Sequence, residues 1–176
     1  SPNGRVHEDS FQVQQDPDVA AQFKEMAAKG WVKPFPSKRA AERWLKRQVH
    51  ESNLFVIEKT KPDGSVKKRI ILDLKSSGVT GVARKNERVL LPRALDVIHD
   101  YLEQESHRGD GEDIEWFIID FKDAFWHLAM TEDEMPFACS WVGDTFYIFC
   151  RTPQGSRGAP LAWAGTAALL ARIAQC

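Results

Sequence analysis

The stretch Glu115-Trp-Phe-Ile-Ile-Asp-Phe121 decides how this chain is read. It is nearly continuous in apolar and β-favouring side chains, the pattern of a central strand covered on both faces. Asp120 stands inside it. A carboxylate among apolar neighbours is costly unless its charge is compensated, and a divalent cation at the strand end would compensate it. An Asp at a strand terminus satisfied by backbone donors is the plainer account, and the stretch by itself leaves both open.

Working outward, residues 123–130 read as a short helix with Asp123 as its cap. Phe137 to Val142 and Thr145 to Cys150 read as two strands about Gly143-Asp144. Thr152 to Pro160 is a loop punctuated by Gly and Pro, and Leu161 to Ala174 is an Ala- and Leu-rich helix without a polar stripe, expected to be packed. Upstream, Leu54 to Lys59 and Val66 to Leu74 are β-like runs joined by Lys61-Pro-Asp-Gly-Ser65, which is turn chemistry, so they form a hairpin. Alternation puts Ile70, Leu72 and Leu74 on one face of its second strand, and Lys67, Arg69, Asp73 and Lys75 on the other with Ile71. Residues 76–90 read as a loop, Pro92 as the lead into a helical stripe of Leu95, Ile98 and Leu102, and residues 103–113 as a polar loop. Nearer the start, Asp16 to Gly30 is helical with Val19, Phe23 and Met26 at helical spacing. A second helix is capped by Ser37, with Ala40, Ala41, Trp44 and Leu45 opposed by Lys38, Arg39, Arg43, Lys46 and Arg47. Residues 1–15 read as a poorly ordered lead-in.

The composition agrees with a folded domain. The chain has 176 residues, of which 43% are hydrophobic and 28% charged, and a chain of this size buries about 70% of its unfolded surface. Lys and Arg number 24 against 25 Asp and Glu, so no overall positive field favours a nucleic-acid partner, and such binding must come from local patches. No apolar run is long enough to span a membrane. Cys139, Cys150 and Cys176 lack metal spacing, which points to a reducing, intracellular setting. The start at Ser1, with no signal-peptide pattern, suggests a piece of a longer protein.

Four landmarks carry a resemblance. Phe117-Ile-Ile-Asp-Phe-Lys-Asp-Ala-Phe125, followed by Thr152-Pro-Gln-Gly-Ser-Arg-Gly-Ala-Pro160, resembles the palm of reverse transcriptases from retroelements. Phe55-Val-Ile-Glu-Lys59, Asp63-Gly64 and Arg69-Ile-Ile-Leu-Asp-Leu-Lys75 resemble the same family's fingers hairpin, and Leu91-Pro-Arg93 with its helix resembles the fingers-to-palm link. The landmarks occur in the family's order and cover residues 54–165, whereas the first 50 residues match nothing recognisable.

The resemblance implies an RNA-directed DNA polymerase, a nucleotidyltransferase that copies an RNA or DNA template from a primer with dNTPs. In such enzymes two Mg²⁺ ions activate the primer 3′-hydroxyl and stabilise the charge developing on the triphosphate. It makes Asp120 the catalytic, metal-binding carboxylate and the backbone carbonyl of Phe121 a second metal ligand. Lys59 and Arg69 become the cations that grip the incoming triphosphate. Asp123, Ala124 and Phe125 border the nucleotide, with Phe125 as the steric gate against a ribose 2′-hydroxyl. Gln154 lies near the nucleotide's sugar, Lys75 is a weaker template-backbone contact where the family usually has Arg, and Gly155 lets the backbone approach template or substrate. Asp73 is expected in a salt bridge within the fingers.

The chain also departs from the family. Gly78 stands for a common Asn, Thr152 for Leu and Ala159 for Ser. The family's third motif, an aromatic followed by paired Asp residues on a hairpin, belongs beyond Pro160, yet no Asp or Glu follows Asp144. The expectation is therefore an α+β, polymerase fingers/palm-type fold with an antiparallel palm sheet backed by helices, truncated before the paired-Asp hairpin and inactive alone. Its divisions are 1–50 (lead-in and helices), 51–113 (hairpin and connecting helix) and 114–176 (partial palm). Two other readings stay open: a non-catalytic retroelement relic that binds nucleic acid or protein, and an RNA-templated RNA polymerase, against which Phe125 argues.

Overall fold

Asp16 begins the first well-formed helix because its Oδ1 accepts a hydrogen bond from the Asp18 amide at 2.8 Å while Pro17 supplies a preset first turn. The structure is a computed structural model that describes residues 5–7, 10–82, 93–116 and 118–174. The later part of the expected 76–90 loop, Leu91 and Pro92 of the expected link, and Phe117 lie outside the described residues. Among those described, the elements run β1 (Arg5–His7), α1 (Ser10–Gln15), α2 (Pro17–Ala28), β2 (Val32–Phe35), α3 (Lys38–Leu45), β3 (Asn53–Thr60), β4 (Val66–Asp73), α4 (Val79–Val82) and α5 (Ala94–His107). Two 3₁₀ turns follow at Ala124–His127 and Met135–Phe137, and then β5 (Cys139–Val142), β6 (Thr145–Phe149) and α6 (Ala159–Ala174). No helix is long and apolar enough to cross a membrane among the described residues.

The architecture is α+β, with two three-stranded antiparallel sheets ordered β1-β3-β4 and β2-β6-β5. Both expected hairpins are present. The β3–β4 register pairs Leu54 with Leu72, Val56 with Ile70 and Glu58 with Lys68, and on the opposite face Phe55 with Ile71, Ile57 with Arg69 and Lys59 with Lys67. The first face is the inner one. Leu54, Val56 and Leu72 are buried in a core shared with Val19, Phe23 and Met26 of α2 and with Tyr147 and Phe149 of β6. Phe23 is the hinge of that core: its ring lies 4.8 Å from Tyr147 and meets Phe149 edge-on at 5.7 Å. Full burial of such a side chain contributes roughly 1.5–3 kcal/mol. On the other side of the second sheet Ala41 of α3 packs with Phe146 and Ile148, while Ser37 Oγ caps the helix through the Ala40 amide.

Several expectations change. Residues 1–15 are not only a lead-in, because β1 pairs with β3, α1 precedes α2 and Val13 enters the core. The helix expected to end before residue 103 continues to His107, carried by residues with good helix propensity. The stretch 115–121 is not a strand: no ladder partner lies beside its described residues, and Ile118 and Ile119 are 95% and 53% exposed. An apolar β-favouring run specifies a strand only where a neighbour offers an open edge. Likewise α6 carries no polar stripe yet leaves Leu169, Leu170 and Ile173 exposed, as α5 leaves Leu95, Ile98 and Leu102. Asp123 sits before the first 3₁₀ turn with a left-handed φ of 59°, and its side chain makes no capping bond.

Lys68 is the structural cation of the hairpin. Alternation turns it inward, where its Nζ lies 2.7 Å from Asp18 and 3.0 Å from Asp16, with Glu58 at 4.0 Å. Burial pushes the Asp16 carboxyl up, but the Lys68 ammonium and the Asp18 amide outweigh it and hold the group below its ordinary value of 3.8. The Asp18 and Asp16 carboxylates raise Lys68 above 10.5. A lowered carboxylate pKa gives stability that is present above 3.8 and lost as pH falls through the folded value. A raised lysine pKa gives stability present below 10.5 and lost as pH rises through the folded value. Lys68→Met is therefore expected to cost about 1 kcal/mol in urea unfolding, with a wild-type advantage that is flat from about pH 5 to pH 9 and closes in strong acid. An advantage that persists unchanged below about pH 3 would contradict this pairing.

Candidate functional site

The Pro153-Gln-Gly155 loop owes its position to the free edge of β4. In the order β1-β3-β4 that edge has no strand beyond it among the described residues, and the Leu72 amide donates instead to the Gln154 carbonyl at 3.0 Å. Gly155 lies directly against the same residue. Its φ is +103°, and a Cβ there would stand 2.4 Å from the Leu72 carbonyl oxygen and 3.0 Å from Ile71 Cγ2. Only glycine meets both the conformation and the clearance. Pro153 is fully buried, and the Arg157 guanidinium reaches the Thr80 carbonyl at 3.3 Å.

The other end of the loop is tied to the segment that follows Phe125. Thr152 N–H donates to the Leu128 carbonyl at 2.9 Å, Met130 N–H donates to Cys150 at 3.1 Å, and Ala129 bridges Arg151. Trp126 anchors this segment in the core, stacked on Trp31 at 5.1 Å with the rings 5° apart. A continuous hydrogen-bonded path thus runs from the hairpin strand through the Gln-Gly loop to the turn after Asp120.

Asp120, Phe121 and Ala124 come together with Ile119 along α6, where Trp163, Ala167, Leu170 and Ala171 complete a groove of about 370 Å³. Phe121 meets Trp163 edge-on at 5.3 Å. The Asp120 side chain is exposed and, among the described residues, accepts no hydrogen bond, so it is not consumed by its own main chain. Among the described residues it is the only ionisable one lining the groove. Among the described residues no group of three or more His, Cys, Asp or Glu side chains is placed to hold a metal ion. Asp120 thus stands as a single accessible carboxylate among the described lining residues, beside apolar walls.

The remaining residues singled out from the sequence do not line this groove. Phe125 is half-buried and is not among its lining residues, although its neighbour Ala124 is. Asp123 is exposed beside it. Gln154 is half-buried in the loop. Lys59 and Arg69 lie on the outer face of the hairpin, exposed, diagonal to one another across the β3–β4 register, and neither lines the groove. Lys75 is exposed just past β4. Asp73 does not form the expected salt bridge: its Oδ1 accepts from the amides of Lys75 and Ser76 at 3.1 and 3.0 Å, closing the turn that ends the strand. Burial pushes its carboxyl up, but the Ser76 and Lys75 donors prevail and hold it below 3.8. Sequence reasoning missed Trp163, whose spacing with Ala167, Leu170 and Ala171 marks one helical face, because that face reads as ordinary packing.

No protein-family model matches the chain, and no curated protein matches it significantly.

Gly155→Ala is expected to destabilise the protein by about 3 kcal/mol or more, from backbone strain and the contact with Leu72 together. Gly158→Ala, where a Cβ meets nothing within 4 Å, is expected to stay within about 0.5 kcal/mol of wild type. Denaturant unfolding of the two variants measures the difference, and equal midpoints would refute the docking of the loop on β4.

Proposed function

We propose that this chain is the fingers and part of the palm of a reverse transcriptase, acting in template-directed DNA synthesis within a longer protein. The observation that supports this reading best is the docking of Gln154 and Gly155 on Leu72. It links three separately recognisable motifs, the basic hairpin, the Gln-Gly loop and the Asp120 turn, through one set of backbone bonds. The exposed, unengaged Asp120 carboxylate adds to it, since a ligand-binding oxygen must be available to the ligand.

On this reading Asp120 and the Phe121 carbonyl hold Mg²⁺, which supplies an activated primer hydroxyl and charge stabilisation at the triphosphate. Arg69 offers a planar fork and Lys59 a point charge to phosphate oxygens. Phe125 excludes a 2′-hydroxyl by shape, and Gln154 orients the sugar. The glycine at 155 keeps the loop backbone close to β4, so that the template or nucleotide passes over main chain rather than side chain.

The test is primer extension with Mg²⁺, dNTPs and an RNA or DNA template. These 176 residues alone are expected to give no extension, whereas the chain prolonged by its natural downstream sequence extends the primer. Asp120→Asn in the longer protein is expected to lower the rate by about 10³-fold or more, because a metal-binding carboxylate supports several kcal/mol of charge stabilisation. Phe125→Ala is expected to admit ribonucleotides. A longer protein in which Asp120→Asn extends primers at the wild-type rate would defeat the polymerase reading.

A further inference from the structure

Residues 115–121 have the side chains of a strand and, among the described residues, none of its bonds. Trp116, Phe117, Ile118, Ile119 and Phe121 favour a pleated, half-buried surface, and the run contains neither Pro nor Gly. Yet the main chain of residues 114–116 and 118–121 makes no hydrogen bond among the described residues. Exposed backbone groups of this kind are satisfied by water and stay available to a partner strand. Trp116, Ile118 and Ile119 are 59%, 95% and 53% exposed. Outward apolar side chains beside free main-chain groups recruit another strand. Contacts hold the two ends of the run, since Trp116 stacks on Tyr101 of α5 at 6.1 Å and Phe121 meets Trp163 edge-on. Its middle stays open at Ile118, the most exposed large hydrophobic residue among those described.

The run is complementary to itself in one direction only. Antiparallel pairing about Ile118 sets Ile118 opposite Ile118 of a second copy, Trp116 opposite Asp120 and Glu115 opposite Phe121. No like charges then face each other. Parallel, in-register pairing would instead set Glu115 against Glu115 and Asp120 against Asp120, which is unfavourable. An antiparallel pair of identical segments is isologous, each copy giving and receiving the same contacts, so it closes at two copies. A membrane surface is the poorer occupant, because lipid cannot satisfy free main-chain groups.

We propose that residues 115–121 pair antiparallel with the same residues of a second copy, across a two-fold axis at Ile118, and become a strand only in that dimer. The dimer supplies the neighbouring edge that the single chain lacks among its described residues. It also sets Trp116 of one copy beside Asp120 of the other. The inference rests on the sequence, exposure and main chain of this run, and it does not require the polymerase reading to hold.

The experiment is sedimentation velocity of the 176-residue chain over a range of concentrations. A weak, reversible dimer, half-formed at about 10–100 μM, is expected from so small a contact. Ile118→Lys, which places two ammonium groups opposite each other, is expected to weaken it about tenfold or more. Ile173→Lys, at an apolar position 64% exposed on α6, is expected to leave it unchanged. Thermal melts of both variants, whose changes are at the surface, check that the fold is kept. Cysteine cross-linking reads the direction of pairing, because opposed residues lie within disulfide reach. Trp116→Cys mixed with Asp120→Cys and oxidised is expected to give the 116–120 link between copies, identified by peptide mass. A monomer at about 500 μM, a polymer that grows without limit, or equal loss of the dimer in the Ile118 and Ile173 variants would overturn the proposal. So would 116–116 and 120–120 links in place of the mixed one.

Discussion

Leu72 is where the constraints of this structure meet. Its side chain is buried in the core between the sheets, opposite Leu54, which fixes the register of the β3–β4 hairpin. Its amide and carbonyl face the other way, at the sheet edge, and there they hold Gln154 and exclude any Cβ at residue 155. An exposed β edge invites pairing with other chains, and covering it with a loop removes that hazard. The same bond positions the loop. A one-residue slip of β4 would send Leu72 to the outer face and leave the Gln154 carbonyl without its donor, so core packing and loop placement are specified together.

The alternation of β4 also sorts its cations into two kinds. Lys68 points inward and is bound to the carboxylates at the start of α2, so it joins the hairpin to that helix. Lys67 and Arg69, one residue to either side, point outward and stay exposed beside Lys59. Three adjacent basic residues thus do two jobs, and only the outer pair is available to an anionic ligand. Period-2 geometry makes this division unavoidable once Leu72 is in the core.

Much of the hairpin half was legible in the sequence because local signals agree there: turn residues at 61–65, Ile70, Leu72 and Leu74 alternating with Arg69, Asp73 and Lys75 apart from Ile71, an Asp-Pro helix start at 16–17 and a Ser37 cap. What was not legible depends on partners distant in the chain. Strand β2 contains Pro34 and is short, yet it pairs with β6 because β6 offers an edge and its Val32 completes the core. The apolar runs at 115–121 and in α6 carry the composition of buried elements and are largely exposed, since composition reports what a segment would bury, not what is present to bury it. Of the candidate site, residue types and order were readable. The grouping of Asp120 with Trp163, and the dependence of Gly155 on the Leu72 carbonyl, were not, because both arise from tertiary contacts between segments with no shared pattern.

The groove around Asp120 is chemically unbalanced, and the imbalance bears on how the site would work. Its walls are apolar, from Ile119 and Phe121 on one side and Trp163 and Leu170 on the other, with one carboxylate among them. A single carboxylate in water binds Mg²⁺ weakly, because the ion gives up its hydration reluctantly and asks for octahedral oxygen ligands. Apolar walls strengthen the attraction only once water is displaced. On the proposed polymerase reading, metal and phosphate would enter such a site together, each supplying what the other needs, and the cations of the hairpin would act on the phosphates rather than on Asp120. On the same reading the loss of Asp120 would weaken metal-dependent steps while the outward cations of the hairpin, Lys59, Lys67 and Arg69, would keep the grip on phosphates, so that chemistry and grip would be carried by different residues.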